Sequence, residues 1–151
     1  MDAFNQRLGK ARTIGVDTSI FIYLLEDHQR YGPLAKNILE GMESGKWIGV
    51  TSTITLMEIT VRPWQLGRET AAREYEAVLS HYPNLTIIDV DKTVARRAAQ
   101  LRAIYSISPP DALQLATSLN SGAGVFVTND KRLSKIQEFI EILVLDDFVV
   151  E

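Results

Sequence analysis

Four carboxylates, Asp17, Glu58, Asp111 and Asp130, stand where an acidic side chain has more to do than keep the protein in solution. Asp17 follows the apolar run Thr13–Val16 in "RTIGVDTSIFIYLLED", with Thr18 and Ser19 directly behind it. Asp130 follows Val125–Thr128 in "GVFVTNDKRL", behind Asn129. Glu58, in "TSTITLMEITVRP", shares one helical face with Ile54 and Val61 and is flanked by Met57. Asp111, in "ISPPDALQLATSLNSG", falls in the first turn of a helix whose apolar face is Ala112, Leu115, Ala116 and Leu119. Each has a structural use of its own. Asp17 can cap the helix after it, Asp130 suits a turn, Glu58 can reach water from the edge of its stripe, and Asp111 gains from the helix dipole. Gathered on one rim, the four fit a hard-cation site. Magnesium and manganese prefer carboxylate oxygens and water and keep positions open for phosphate oxygens. Two such ions about 4 Å apart activate water and stabilise the leaving oxygen in phosphodiester hydrolysis. Thr18, Ser19, Thr128 and Asn129, beside the carboxylates, are small polar groups able to orient ligands or the attacking water.

That chemistry depends on elements that bring distant residues together. Short apolar runs alternate with longer amphipathic ones, the pattern of a parallel sheet covered by helices. Strands are expected over Thr13–Val16, Trp47–Thr51, Leu85–Ile88, Val125–Thr128 and Ile142–Leu145, short and apolar like strands buried on both faces. Periodicity predicts helices over Ser19–Glu26, Pro33–Ser44, Ile54–Arg62, Glu69–His81, Lys92–Tyr105 and Pro110–Asn120, with a short piece near Leu133–Ile136. Pro33 and Pro110 suit first-turn positions, and Gly45 and Gly122 suit left-handed C-caps. "RPWQLG" is expected to break one helix before the next begins. In such sheets, sites form in the crevice beyond the carboxyl ends of the strands. Asp17 and Asp130 therefore meet if their strands are neighbours.

The 151 residues suit one domain, 1–151, without repeat or linker. No apolar run approaches the ~20 residues of a membrane span, and "MDAFNQRLGKAR" carries no signal-peptide pattern, so a cytoplasmic protein is expected. The absence of cysteine excludes disulfides, a thiolate nucleophile and Cys-based zinc sites. A net charge of −3 argues against coating nucleic acid by bulk electrostatics. Four carboxylates neutralised by cations would reverse that sign, so the argument excludes little. His28 and His81 lack HxH or HExxH spacing, and no Gly-rich phosphate loop or nucleophile elbow occurs. Arg62, Lys131 and Arg132 adjoin the acidic positions and are candidate RNA phosphate contacts. Trp64 and Tyr31 suit packing better than base stacking, and Asp146 and Asp147 read as surface.

"VDTSIFIYLLE", the Glu58–Ile59 pair on the third predicted helix, "PPDALQLATSL" and "VFVTNDKRL" resemble, in order, the four acidic blocks of PIN-domain ribonucleases. The nearest subgroup is the VapC-type toxins of toxin–antitoxin pairs, and the resemblance runs from about residue 13 to residue 145. It implies a three-layer α/β/α fold with a five-stranded parallel sheet. It also implies Mg²⁺- or Mn²⁺-dependent endonucleolytic cleavage of RNA, commonly tRNA or rRNA, at a metal site of Asp17, Glu58, Asp111 and Asp130. Ser19 and Thr128 match the family's small polar positions. By charge and reach, Asp17 with Asp111 or Asp130 is expected to hold the ion that activates water, and Glu58 and its neighbours to hold or adjoin the second ion or to orient water through it; the sequence does not assign carboxylates to ions. A homodimer and an antitoxin that masks the acidic cleft are implied as partners. Two departures stand out: Ser108 lies where a basic residue is common, and "RPWQLGRE" has no close counterpart. A housekeeping PIN nuclease without an antitoxin and a non-catalytic RNA-binding module are the alternatives. A receiver-type phosphoacceptor domain fits poorly, since "VDTS" offers one Asp where that fold wants an acidic pair.

Overall fold

A computed structural model describes residues 1–137 and 139–149; residues 150 and 151, the end of the expected domain, lie outside the described residues. Five strands form one parallel sheet: β1 (Thr13–Val16), β2 (Ile48–Ser52), β3 (Leu85–Ile88), β4 (Val125–Thr128) and β5 (Glu141–Val144). Seven α-helices are described: α1 (Asp2–Gly9), α2 (Thr18–Leu25), α3 (Gly32–Glu43), α4 (Thr53–Gln65), α5 (Glu69–Ser80), α6 (Lys92–Tyr105) and α7 (Pro109–Asn120). Short 3-10 turns cover Lys131–Lys135 and Leu145–Phe148. Among the described residues no helix is long and apolar enough to cross a membrane.

The strand order is β3-β2-β1-β4-β5. Alternation along the strands sorts side chains to the two faces. Val125, Val127 and Leu143 join Ile14, Val16, Phe4 and Ile20 on one side. Phe126, Ile142 and Val144 join Leu101, Ala112 and Leu115 on the other. Helices thus cover both faces, giving the three-layer α/β/α architecture. The chain winds outward from β1 to β3, then returns to lay β4 against the other side of β1. Between β1 and β4 the sheet reverses its winding, which opens a crevice at their carboxyl ends. Val16 pairs with Val127, so the residues just beyond, Asp17 and Thr128, face each other across it.

The structure adds to the sequence reading at three points. The opening segment is helical: Phe4 and Leu8, four residues apart, are completely buried in α1, and Arg7 Nε donates to Glu141 at 2.7 Å. Two apolar residues made too weak a periodic signal. Second, α4 does not break at Pro63 but runs through it to Gln65. What stops it is Gly67, at φ +68°, with Gly67 N–H bonded to the Trp64 carbonyl at 3.1 Å and Arg68 N–H to that of Pro63 at 2.8 Å. Those paired bonds are a left-handed C-terminal cap that glycine alone adopts without strain. Gly45 and Gly122 close α3 and α7 in the same way, as expected. Third, Asp146 is no idle surface group. It accepts from Tyr31 Oη at 2.7 Å and pairs with Lys131 Nζ at 2.9 Å, which pulls its pKa down to about 2.

Candidate active site

Asp17 performs both duties its position allows. As N-cap of α2 its Oδ1 accepts from Thr18 N–H at 2.8 Å, and its Oδ2 accepts from Thr128 Oγ1, across the crevice, at 2.7 Å. Burial at the end of β1 pushes its pKa from 3.8 up to about 6; the two hydrogen bonds oppose that rise, and the charges of Asp111 and Glu58 add to it. A carboxylate poised so far above its ordinary value is a mark of functional sites.

Glu58, on α4, accepts from Thr18 Oγ1 at 2.7 Å. Asp111 lies in the first turn of α7, where Ser108 caps the helix and donates from Oγ to Asp111 Oδ2 at 2.9 Å. The residue that departs from the common pattern is thus built into the site's geometry. Removing that hydroxyl with Ser108→Ala is expected to cost about 1 kcal/mol of stability, read by urea denaturation. Asp130, beyond β4, caps the first 3-10 turn and is gripped by Arg132, with Nη2 to Oδ2 at 2.7 Å and Nε to Oδ1 at 3.0 Å. That guanidinium holds the Asp130 carboxyl below its ordinary range.

All four carboxylates line one open cleft of about 440 Å³, together with Thr18, Ser19, Thr128, Asn129 and Lys131. Bringing them to one cleft is what the sequence expectation required. They do not converge on a point. Among the described residues no three of the acidic or histidine side chains are close enough together to hold a metal ion as they stand. Asp111 and Asp130 each turn to a donor on their own segment, Ser108 and Arg132, whereas Glu58 is held by Thr18, next to Asp17. The donor set nevertheless suits a hard cation, being carboxylates and hydroxyls throughout. Ser19 Oγ adds to it, buried at the cleft without a hydrogen-bond partner.

The neighbouring polar residues divide by role. Thr128 Oγ1 serves Asp17 and also accepts from Asp130 N–H at 3.1 Å, tying the two acidic positions together. Asn129 instead braces the rim, donating to Tyr23 Oη at 3.0 Å and accepting from Asp146 N–H at 2.9 Å. Tyr31 packs, its ring stacked on His28 at 5.0 Å, whereas Trp64 stays half exposed with Arg73 over its ring. Arg62 lines a second groove that shares Glu58 with the cleft. Sequence reasoning missed Gln114. It lines the cleft though only 2 % exposed and sits one turn after Asp111 on the same helical face. A long amide beside the apolar face of α7 was the signal.

The PIN domain family model matches residues 14–138. The chain belongs to the PIN domain family. Among solved PIN-like structures, a toxin–antitoxin complex from Klebsiella pneumoniae is 25 % identical, with a TM-score of 0.65 over 88 % of this chain and 97 % of that one. VapBC2 from Rickettsia felis, bound to a DNA fragment from its promoter, is 20 % identical with a TM-score of 0.69, covering 87 % and 98 %. VapC20 from Mycobacterium tuberculosis, a sarcin–ricin loop cleaving toxin, is 19 % identical with a TM-score of 0.65, covering 85 % and 97 %. The last two likenesses speak for the fold alone. No curated protein matches.

Proposed function

We propose that this PIN domain protein is a Mg²⁺- or Mn²⁺-dependent endoribonuclease, the toxin of a toxin–antitoxin pair. The observation that carries the reading is the gathering of Asp17, Glu58, Asp111 and Asp130 on one open cleft at the switch point of a parallel sheet. PIN domains are generally nucleases, and the similar solved structures include toxin–antitoxin complexes and one RNA-cleaving toxin. A tRNA or rRNA substrate, a small antitoxin partner and a homodimer belong to the same proposal.

Asp17, Glu58, Asp111 and Asp130 would hold the ions. A bound hard cation supplies Lewis acidity toward a phosphodiester oxygen and lowers the pKa of water. The protein's own groups do the rest. Thr128 and Thr18 hold Asp17 with both oxygens satisfied, so the carboxylate does not swing. Lys131, on the cleft wall, presents an ammonium paired with Asp146 that a backbone phosphate would share. Arg132, paired with Asp130, and Arg62, in the adjoining groove that shares Glu58, are the other proposed phosphate contacts.

The test is cleavage of a panel of tRNA, rRNA fragments and single-stranded RNA by the purified chain with Mn²⁺, with Mg²⁺ or with EDTA. Discrete cuts with either metal, lost in EDTA and in Asp111→Asn, are expected. Cleavage that survives EDTA would sink the metal-dependent reading, and a folded chain that binds RNA without cutting any of it would move a binding role ahead.

A further inference from the structure

From the cleft wall inward runs a buried polar cluster that a hydrophobic core would not need. Thr18, Thr51, Ser52, Thr55 and Gln114 are all 5 % exposed or less. Their hydrogens can be counted, because each hydroxyl has one proton and the amide has two. Ser52 Oγ accepts from Ile54 N–H and gives its proton to Gln114 Oε1 at 2.9 Å, which fixes the amide's orientation. Both protons of Gln114 Nε2 are therefore aimed the other way, at Thr18 Oγ1 (3.0 Å) and Thr55 Oγ1 (2.7 Å). Thr51 spends its proton on the Val16 carbonyl at 2.9 Å, so its 2.7 Å contact with Thr55 uses the proton of Thr55. Only the Thr18 proton remains, and it goes to the charged acceptor, Glu58 Oε1, at 2.7 Å rather than to Thr55 at 2.9 Å. The network thus has one direction, from Gln114 through Thr18 to Glu58. It is anchored on Val16, the residue before Asp17.

We infer that Gln114 is a positioning residue: acting through Thr18, it holds the Glu58 carboxylate as an acceptor against the strand end that carries Asp17. The inference rests on the metal-site reading above. The Gln114 amide is fully engaged with Ser52, Thr18 and Thr55. Its contribution is to keep Glu58 from relaxing toward solvent, so that a cation finds the carboxylate already in place.

A merely structural Gln114 would weaken the protein without regard to Glu58, and a double-mutant cycle separates the two cases. Mn²⁺ affinity of the full-length chain, without RNA, is measured by isothermal titration for wild type, Gln114→Met, Glu58→Gln and the double variant. Gln114→Met is expected to weaken Mn²⁺ binding about tenfold in the wild-type background and less than about twofold in the Glu58→Gln background. Thr18→Val should repeat the loss and Thr18→Ser should restore affinity to within about twofold of wild type; this pair carries the same cycle if Gln114→Met does not fold. An equal loss in both backgrounds, or no loss in either, overturns the positioning role. Glu58→Gln binding Mn²⁺ as tightly as wild type overturns the role of Glu58. Wild-type chain that binds no Mn²⁺ overturns the metal-site reading and this inference with it.

Discussion

Asp17→Asn is expected to abolish RNA cleavage and, in metal-free buffer at pH 8, to raise the melting temperature. The two effects share one cause. In the folded chain Asp17 titrates near 6 rather than 3.8, because burial beside Asp111 and Glu58 disfavours its charge. In the unfolded chain it ionises at the ordinary value, so as pH rises the unfolded state loses its proton first. The stability contributed by this group is full below pH 3.8 and is lost as pH climbs through 6. Above that, the ionised carboxylate costs the metal-free fold on the order of 3 kcal/mol. Asparagine removes the charge but keeps an oxygen for Thr18 N–H, and its amide can donate to Thr128 Oγ1. A gain of about 1–3 kcal/mol is expected at pH 8, or roughly 2–10 °C in a chain of this length, with little or none at pH 4. Added Mn²⁺ should reverse the order, because an ion bound only by the folded wild type stabilises it by mass action. Cleavage should fall at least about a hundredfold. Thermal melts at pH 4 and pH 8 with EDTA, repeated with Mn²⁺, check the claim. An Asp17→Asn protein no more stable than wild type at pH 8 without metal would contradict it.

The same residue marks how far the sequence can be read. Asp17 was legible because buried parallel strands are bare apolar runs, and a carboxylate at the end of one breaks the pattern. Asp130 was legible for the same reason at the end of β4. Their adjacency was not, since it depends on β4 lying beside β1, an order that no local pattern specifies. Gln114 was passed over because its meaning lies in partners 62 and 96 residues away, Ser52 and Thr18. Read along α7 it is one polar side chain among Ala112, Leu115 and Ala116. Asp146 looked like surface for a similar reason, its partners Tyr31 and Lys131 being brought to it by the fold. Pro63 misled in the other direction. A proline lacks a donor and costs a helix one bond, yet α4 runs two residues past it and ends at the cap made by Gly67. Local rules therefore placed the strands and every α-helix but α1. Contacts across the chain decided which polar residues matter.

Gly15→Ala, two residues before Asp17, is expected to destabilise the protein by about 3 kcal/mol, with a fall of roughly 6–12 °C in melting temperature. Replacing glycine by alanine at an unstrained position normally stabilises by limiting the unfolded chain, so the sign is the test. At Gly15 an added Cβ would run into Ser118 Oγ on α7, lie 2.7 Å from Ser118 Cβ and stand 2.9 Å from Phe126 Cδ1. Ser118 is buried in the helix and Phe126 lies in the neighbouring strand, so neither has solvent to retreat into. The strain must be relieved by moving α7 away from β1. That displacement also separates Asp111, on α7, from Asp17, at the end of β1, so Mn²⁺ affinity should fall with stability. Ser118→Gly removes both Ser118 atoms and, despite its own helix cost, should recover part of the loss in the Gly15→Ala background. A coupling of at least about 1 kcal/mol is expected from denaturant melts of the two single variants and the double. Independent, additive losses would mean that the close approach of α7 to β1 does not limit this site. A Gly15→Ala protein as stable as wild type would mean the same. The small residue at Gly15 would then have no bearing on how the two carboxylates are brought together.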